Sequence, residues 1–143
     1  MRISAKADYA LRAMIVLADR HARGREPVKV DEIARAGEIP PKFLETILVQ
    51  LRRHGLLTSK RGADGGYRLA RPPEEVSVAD VLRTVDGPLA QVLGRAPEDL
   101  DYPRDVAALG RVWREAAEAV GEVLEGATLD RLARGAAVPD FQI

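Results

Sequence analysis

The sequence contains no cysteine and only two histidines, His21 and His54. Without thiols, disulfides, thiolate zinc sites and cysteine-ligated iron–sulfur clusters are excluded together. A histidine metal site would need carboxylates or a second subunit to complete it. We therefore expect no metal and no cofactor. No apolar run approaches the ~18 residues of a membrane span, and Met1 to Asp8 lack the apolar core of a signal peptide. The expectation is a chain that stays in the cytoplasm, with no membrane partner. Enzyme signatures are missing too: no paired carboxylates, Ser/His/Asp set or phosphate loop stands in a recognisable context. Gly62-Ala63-Asp64-Gly65-Gly66 leads into a strand pattern, whereas a phosphate loop opens a helix.

Net charge is missing as well, but only in the sum. Over 143 residues, 22 Lys and Arg balance 22 Asp and Glu. Residues 1–71 carry 15 basic against 8 acidic side chains, and residues 72–143 carry 7 against 14. A basic half beside an acidic half suggests one face that meets a polyanion.

Helix dominates the pattern. Ser4 is placed to cap a first helix with Ala7, Ala10, Leu11, Met14, Leu17 and Ala18 at helical spacing. Arg23 to Pro27 breaks it. A short helix follows from Val30 to Ala36 with Ile33 inward, stopped by Gly37; Lys29 is a poor cap for it. Pro40-Pro41 opens a third helix with the apolar stripe Leu44, Ile47, Leu48 and Leu51, ending at Gly55. Its other face carries Lys42, Glu45, Thr46, Gln50, Arg52 and Arg53. The period then changes: Leu56 to Arg61 and Tyr67 to Ala70 read as strands around the turn 62–66.

Ser77 with Asp80 forms a capping box before a helix from Val78 to Val85. Residues 87–104, rich in Gly and Pro, read as an irregular connector. A long helix is expected from Asp105 to Glu125, with Val106, Leu109, Trp113, Ala116, Ala117, Val120 and Leu124 near a coiled-coil seam. Thr128 caps a last short helix with Leu129 and Leu132, and a loose tail runs from Gly135 to Ile143. The fold class is mainly α: a winged helix-turn-helix with a small β-hairpin wing and a long C-terminal dimerisation helix. The division is 1–71 for the winged unit, 72–104 for short helix and connector, and 105–143 for dimerisation helix, terminal helix and tail.

This order suits duplex DNA. A helix about 10 Å across fits the major groove, where polar side chains can read base edges. The candidate interface is Lys42, Glu45, Thr46, Arg52 and Arg53 on the third helix, with Lys60, Arg61 and Arg68 on a hairpin with a flexible Gly65-Gly66 tip. Winged helices also serve as protein-interaction modules, which is the rival reading. His54 beside Gly55, and similarly His21, read as caps to free helix carbonyls.

Ile3-Ser4, Tyr9 to Met14, Ile39 to Glu45, Leu51 to Leu56 and Arg61 to Leu69 together resemble the Rrf2 family of winged-helix regulators. Val76 to Leu89 and the helix through Trp113 to Leu132 also fit, so the resemblance covers nearly the whole chain. It implies a DNA-binding transcription regulator, chiefly a repressor, acting as a homodimer on a palindromic operator, with the long helices crossing near the two-fold axis. The dimer residues are expected to be Val106, Leu109, Trp113, Ala116, Val120 and Leu124. By resemblance Glu45 matches a base-reading glutamate and Arg61 a wing arginine that enters the minor groove. Thr46 and Pro40 depart from residues common in relatives, which points to a different half-site.

Sensing members of that family hold a cluster on three cysteines in the connector. Here the connector has none; aligned on Trp113, the last cysteine position falls near Ala107 and a ligand histidine near Gly110. Asp8, which matches a cluster carboxylate of some relatives, reads instead as an exposed helix residue or a partner for Arg12. Three signals stay open: a small-molecule effector in a pocket lined by Trp113, Tyr102 and the connector, a protein partner on the acidic half, or no signal. Trp113 also reads as an ordinary core or seam residue.

Overall fold

A computed structural model describes residues 1–135; the tail expected beyond Gly135 lies outside the described residues. Helix α1 (Ala5–Ala22) is the hub, touching three later helices, the hairpin and the terminal helix. The Ser4 hydroxyl caps it by accepting the Ala7 amide at 3.0 Å. Its small buried residues, Ala7, Ala10, Ala13 and Ala18, let neighbours approach closely around Met14 and Leu17. Helices α2 (Val30–Gly37) and α3 (Pro41–Arg53) complete a three-helix unit, and Ile33, Leu44, Ile47, Leu48 and Leu51 bury their stripes in one core.

The stop of α2 differs from expectation. Gly37 is the last helical residue, and the left-handed residue is Glu38, at φ 51°. Gly37 serves packing instead: a Cβ there would meet the Ile39 Cδ1 at 2.8 Å. The Arg12 guanidinium donates to the Gly37 and Glu38 carbonyls, both at 3.4 Å, so α1 fixes the turn between the two helices.

Strands β1 (Leu57–Lys60) and β2 (Gly66–Leu69) pair antiparallel with Leu57 opposite Leu69 and Lys60 opposite Gly66. Strand β1 starts one residue later than the sequence pattern because the Leu56 amide closes α3 onto the Leu51 carbonyl at 3.0 Å, and β2 is shifted one residue toward the turn. Val28 adds a third rung, exchanging both backbone hydrogen bonds with Tyr67 at 2.8 Å. This contact accounts for Gly66, and the tightness of the turn for Gly65. A Cβ on Gly66 would stand 2.4 Å from the Val28 carbonyl oxygen, and one on Gly65 2.2 Å from that of Lys60.

Helix α4 (Val78–Asp86) carries the Ser77–Asp80 capping box, both halves formed. After the irregular connector, a 3-10 turn at Arg104–Val106 precedes α5 (Ala108–Gly126). The long helix thus starts three residues later than expected, since the chain leaves Pro103 in a tighter turn. Helix α6 (Leu129–Ala133) returns to the winged unit, with Leu129 fully buried and α1 as its main contact. Backbone bonds from Val78 to Ala127 (2.8 Å) and from Leu129 to Val76 (2.9 Å) tie this return to the start of α4. Among the described residues, no helix is long and apolar enough to cross a membrane.

Candidate nucleic-acid interface

Burial of Leu44, Ile47, Leu48 and Leu51 turns the opposite face of α3 to solvent. Lys42, Glu45, Thr46, Arg52 and Arg53 are all exposed there, and Lys60, Arg61 and Arg68 are exposed on the wing. Gln50, on the same polar face in sequence, is recruited inward: its Nε2 donates to the Thr84 carbonyl at 3.1 Å, fastening α3 to α4. Arg52 fastens the other flank, donating to the Ser59 hydroxyl at 3.3 Å across to β1.

Two grooves result. One, of about 480 Å³, runs between the start of α2, the end of α3 and the wing, with Lys29, Arg52, Lys60 and Arg61 along it. The other follows the outer face of α3 past Glu45, Thr46, Val49 and Arg53. Lys29 enters this cationic set although helical periodicity does not mark it. It stands where α2 starts without a side-chain cap, and only folding brings that start beside the wing.

Among the described residues, Lys42, Glu45, Arg53, Lys60, Arg61 and Arg68 make no ion pair within the chain. Other charges do: Asp8 pairs with Arg12 at 2.9 Å, Arg20 with Glu32 at 3.0 Å and Arg83 with Glu125. The Arg23 guanidinium, hydrogen-bonded to Asp19, holds that carboxyl below its ordinary range against the opposing effect of burial. With Arg52 and Asp64, which make none either, the unpaired charges on α3 and the wing among the described residues are six positive and two negative. Such a surface attracts phosphate, and Glu45, the one carboxylate of α3, is repelled unless a base amine bonds it.

The histidines do different jobs. His54 Nδ1 lies 2.9 Å from the Gln50 carbonyl, as a C-terminal cap. The His21 ring caps no helix carbonyl among the described residues; its Nδ1 pairs with Glu26 Oε1 at 2.6 Å, while Glu26 Oε2 accepts the Leu69 amide. Trp113 and Tyr102, expected to line a pocket, touch each other. The indole Nε1 donates to the Tyr102 hydroxyl at 3.0 Å, and the Tyr102 ring packs where Gly110 has no side chain.

The expected dimer residues fall on two sides of α5. Trp113, Val120 and Leu124 are half-buried against their own chain. Leu109 and Ala116 lie on the exposed side, together with Val112, Ala119 and Val123; Val106 is exposed in the preceding turn. Leu109, Val112 and Val123 expose 41%, 52% and 43% of their surface, and with Ala116 and Ala119 they alternate at spacings of three and four. Those spacings are the ones a heptad seam uses, and among the described residues these side chains are left exposed. Sequence reasoning missed Val112, Ala119 and Val123 because α5 is apolar over half its circumference, so two adjacent stripes compete.

A family model described as "Rrf2: Iron-dependent Transcriptional regulator" matches residues 3–135. The chain is 50% identical over 136 residues to the Mycobacterium tuberculosis protein Rv1287, covering 95% of this chain and 83% of that one. It is 35% identical over 133 residues to the HTH-type transcriptional regulator CymR of Bacillus subtilis, covering 93% and 90%. The solved structure of CymR, the global cysteine regulator of B. subtilis, superposes with a TM-score of 0.80, covering 94% of this chain and 98% of that one. IscR of T. potens, 32% identical, superposes with a TM-score of 0.74, covering 94% and 88%.

Proposed function

Because this chain belongs to the Rrf2 family of transcriptional regulators, we propose that it acts as a homodimeric repressor on a palindromic operator, without an iron–sulfur cluster. The observation that carries the DNA reading is the unpaired charge set on α3 and the wing, a mainly cationic surface with Glu45 on its helix face. Lys42, Thr46 and Arg53 face the major groove, and Glu45 accepts a hydrogen bond from a cytosine amine. Arg52, Lys60 and Arg68 meet phosphates, while Arg61 reaches the adjacent minor groove, whose negative potential favours a guanidinium.

Dimerisation follows from the uncovered stripe Leu109, Val112, Ala116, Ala119 and Val123. A second copy of α5 would cover it and set two recognition helices about one helical turn, ~34 Å, apart on the duplex. Val106 extends that stripe, whereas Trp113, Val120 and Leu124 support it from behind. Such a dimer occupies both half-sites and blocks access to them, which is the simplest route to repression.

The family description speaks of iron, but the donor set here does not fit a cluster. The chain has no thiol, and among the described residues no three His, Asp or Glu side chains converge as a metal site. Asp8 is engaged by Arg12. Selection of bound sequences from random duplex DNA tests the reading: a palindrome with half-sites one turn apart is expected. No enrichment would overturn it.

A further inference from the structure

Phe43, the third residue of α3, leaves 60% of its surface in water. Isolated exposed apolar residues are ordinary on protein surfaces. This one is distinguished by where it stands and by what holds it. It occupies the first turn of the helix that presents Lys42, Glu45 and Thr46, with Thr46 as its i+3 neighbour on the surface.

The ring is braced from one side by α1. Its centroid lies 6.2 Å from that of Tyr9, with the planes tilted by 31°. The Arg12 guanidinium carbon sits 5.4 Å from the centre of the Tyr9 ring, within cation–π range. Arg12 is itself held by Asp8 and by the carbonyls of the α2–α3 turn. A connected set, Asp8 to Arg12 to Tyr9 to Phe43, thus fixes one side of an aromatic ring and leaves the rest uncovered.

We infer that Phe43 is a specificity-determining residue that reads the C5-methyl group of a thymine in each half-site. The inference rests on the DNA-binding reading above and deepens it. A phenyl ring has no hydrogen bond to offer a base edge. The one apolar feature that a base pair displays in the major groove is the thymine methyl. Opposite a polar edge the ring would strip water from donors or acceptors and return nothing. Opposite a methyl it buries apolar surface on both partners. Bracing before binding spares the entropy of ordering the ring at the moment of contact.

The test replaces operator thymines by deoxyuridine one at a time, which deletes the methyl group and keeps every hydrogen-bonding atom. Wild-type protein should lose about fourfold in affinity at one thymine per half-site, the ratio that burial of one methyl group gives. Phe43→Ala should bind thymine and uracil duplexes equally there, and Phe43→Leu should keep most of the discrimination. Wild-type binding that is indifferent to every replacement overturns the inference without using any variant. So does a folded Phe43→Ala that still discriminates. Failure of the wild type to bind any duplex is a different result, and overturns the DNA-binding reading beneath it.

Discussion

The Ser4 hydroxyl donates to the Asp86 carboxylate, 2.7 Å from Oδ1 and 2.8 Å from Oδ2, while it accepts the Ala7 amide at 3.0 Å. One side chain thereby caps α1 and fastens it to the last residue of α4, where the connector begins. A carboxylate at the end of its own helix is unfavourably placed, but beside the start of another it meets the positive end of that helix. Asp86→Ala should cost about 1 kcal/mol, the scale of a lost cap, and lower the thermal midpoint by about 3 °C. An unchanged midpoint in calorimetry would show the bond to be idle.

Gly66→Ala should be more damaging. The new Cβ would fall 2.4 Å from the Val28 carbonyl oxygen, at a backbone φ of +151° that side chains rarely adopt. We expect destabilisation of about 1–3 kcal/mol, with loss of hydrogen-exchange protection at the Tyr67 amide. Protection equal to wild type would contradict the close approach.

Val112→Asp separates the two sides of α5. Val112 touches water in the single chain, so a carboxylate there should leave the folded monomer intact and abolish the dimer in sedimentation. Trp113→Ala should instead lower stability, since it removes the bond to Tyr102 and half-buried packing. If Val112→Asp sediments as a dimer, the seam lies elsewhere.

Arg61→Ala should weaken operator binding and reduce the salt slope by up to about one unit, the most that one positive charge in the groove displaces. Titration of labelled duplex at several salt concentrations measures both. A slope and affinity equal to wild type would remove the wing arginine from the interface.

Two carboxyls make the fold acid-sensitive. Asp19 is held low by its hydrogen bond from Arg23, and Asp130 by its bond from Thr128, each against the opposing effect of burial. A carboxyl whose folded value is depressed contributes stability above its unfolded value, near 3.8, and loses it as pH falls through the folded value. Thermal midpoints should therefore drop below about pH 4, and the Asp19→Asn, Asp130→Asn double variant should drop less. Parallel curves would refute the linkage.

The amino-acid pattern alone determined what is local in this protein. Ser4 and the Ser77–Asp80 box mark helix starts because a cap needs only the next three residues. The stripe Leu44, Ile47, Leu48 and Leu51 marks the buried side of α3, and therefore its free side, because 3.6-residue periodicity is written in the chain. The lack of cysteine excluded a thiolate-held cluster without any structure. Tertiary structure decided whatever depends on which surface meets which. Periodicity records that α5 avoids water over half its circumference; packing assigns Trp113, Val120 and Leu124 to the chain itself and leaves Val112 and Ala119 uncovered. It also turned Gln50 toward the Thr84 carbonyl of α4, set the Arg12 guanidinium on the carbonyls of the α2–α3 turn, and brought Lys29 beside the wing. Such choices are made between segments that the sequence keeps far apart, so no local spacing could state them.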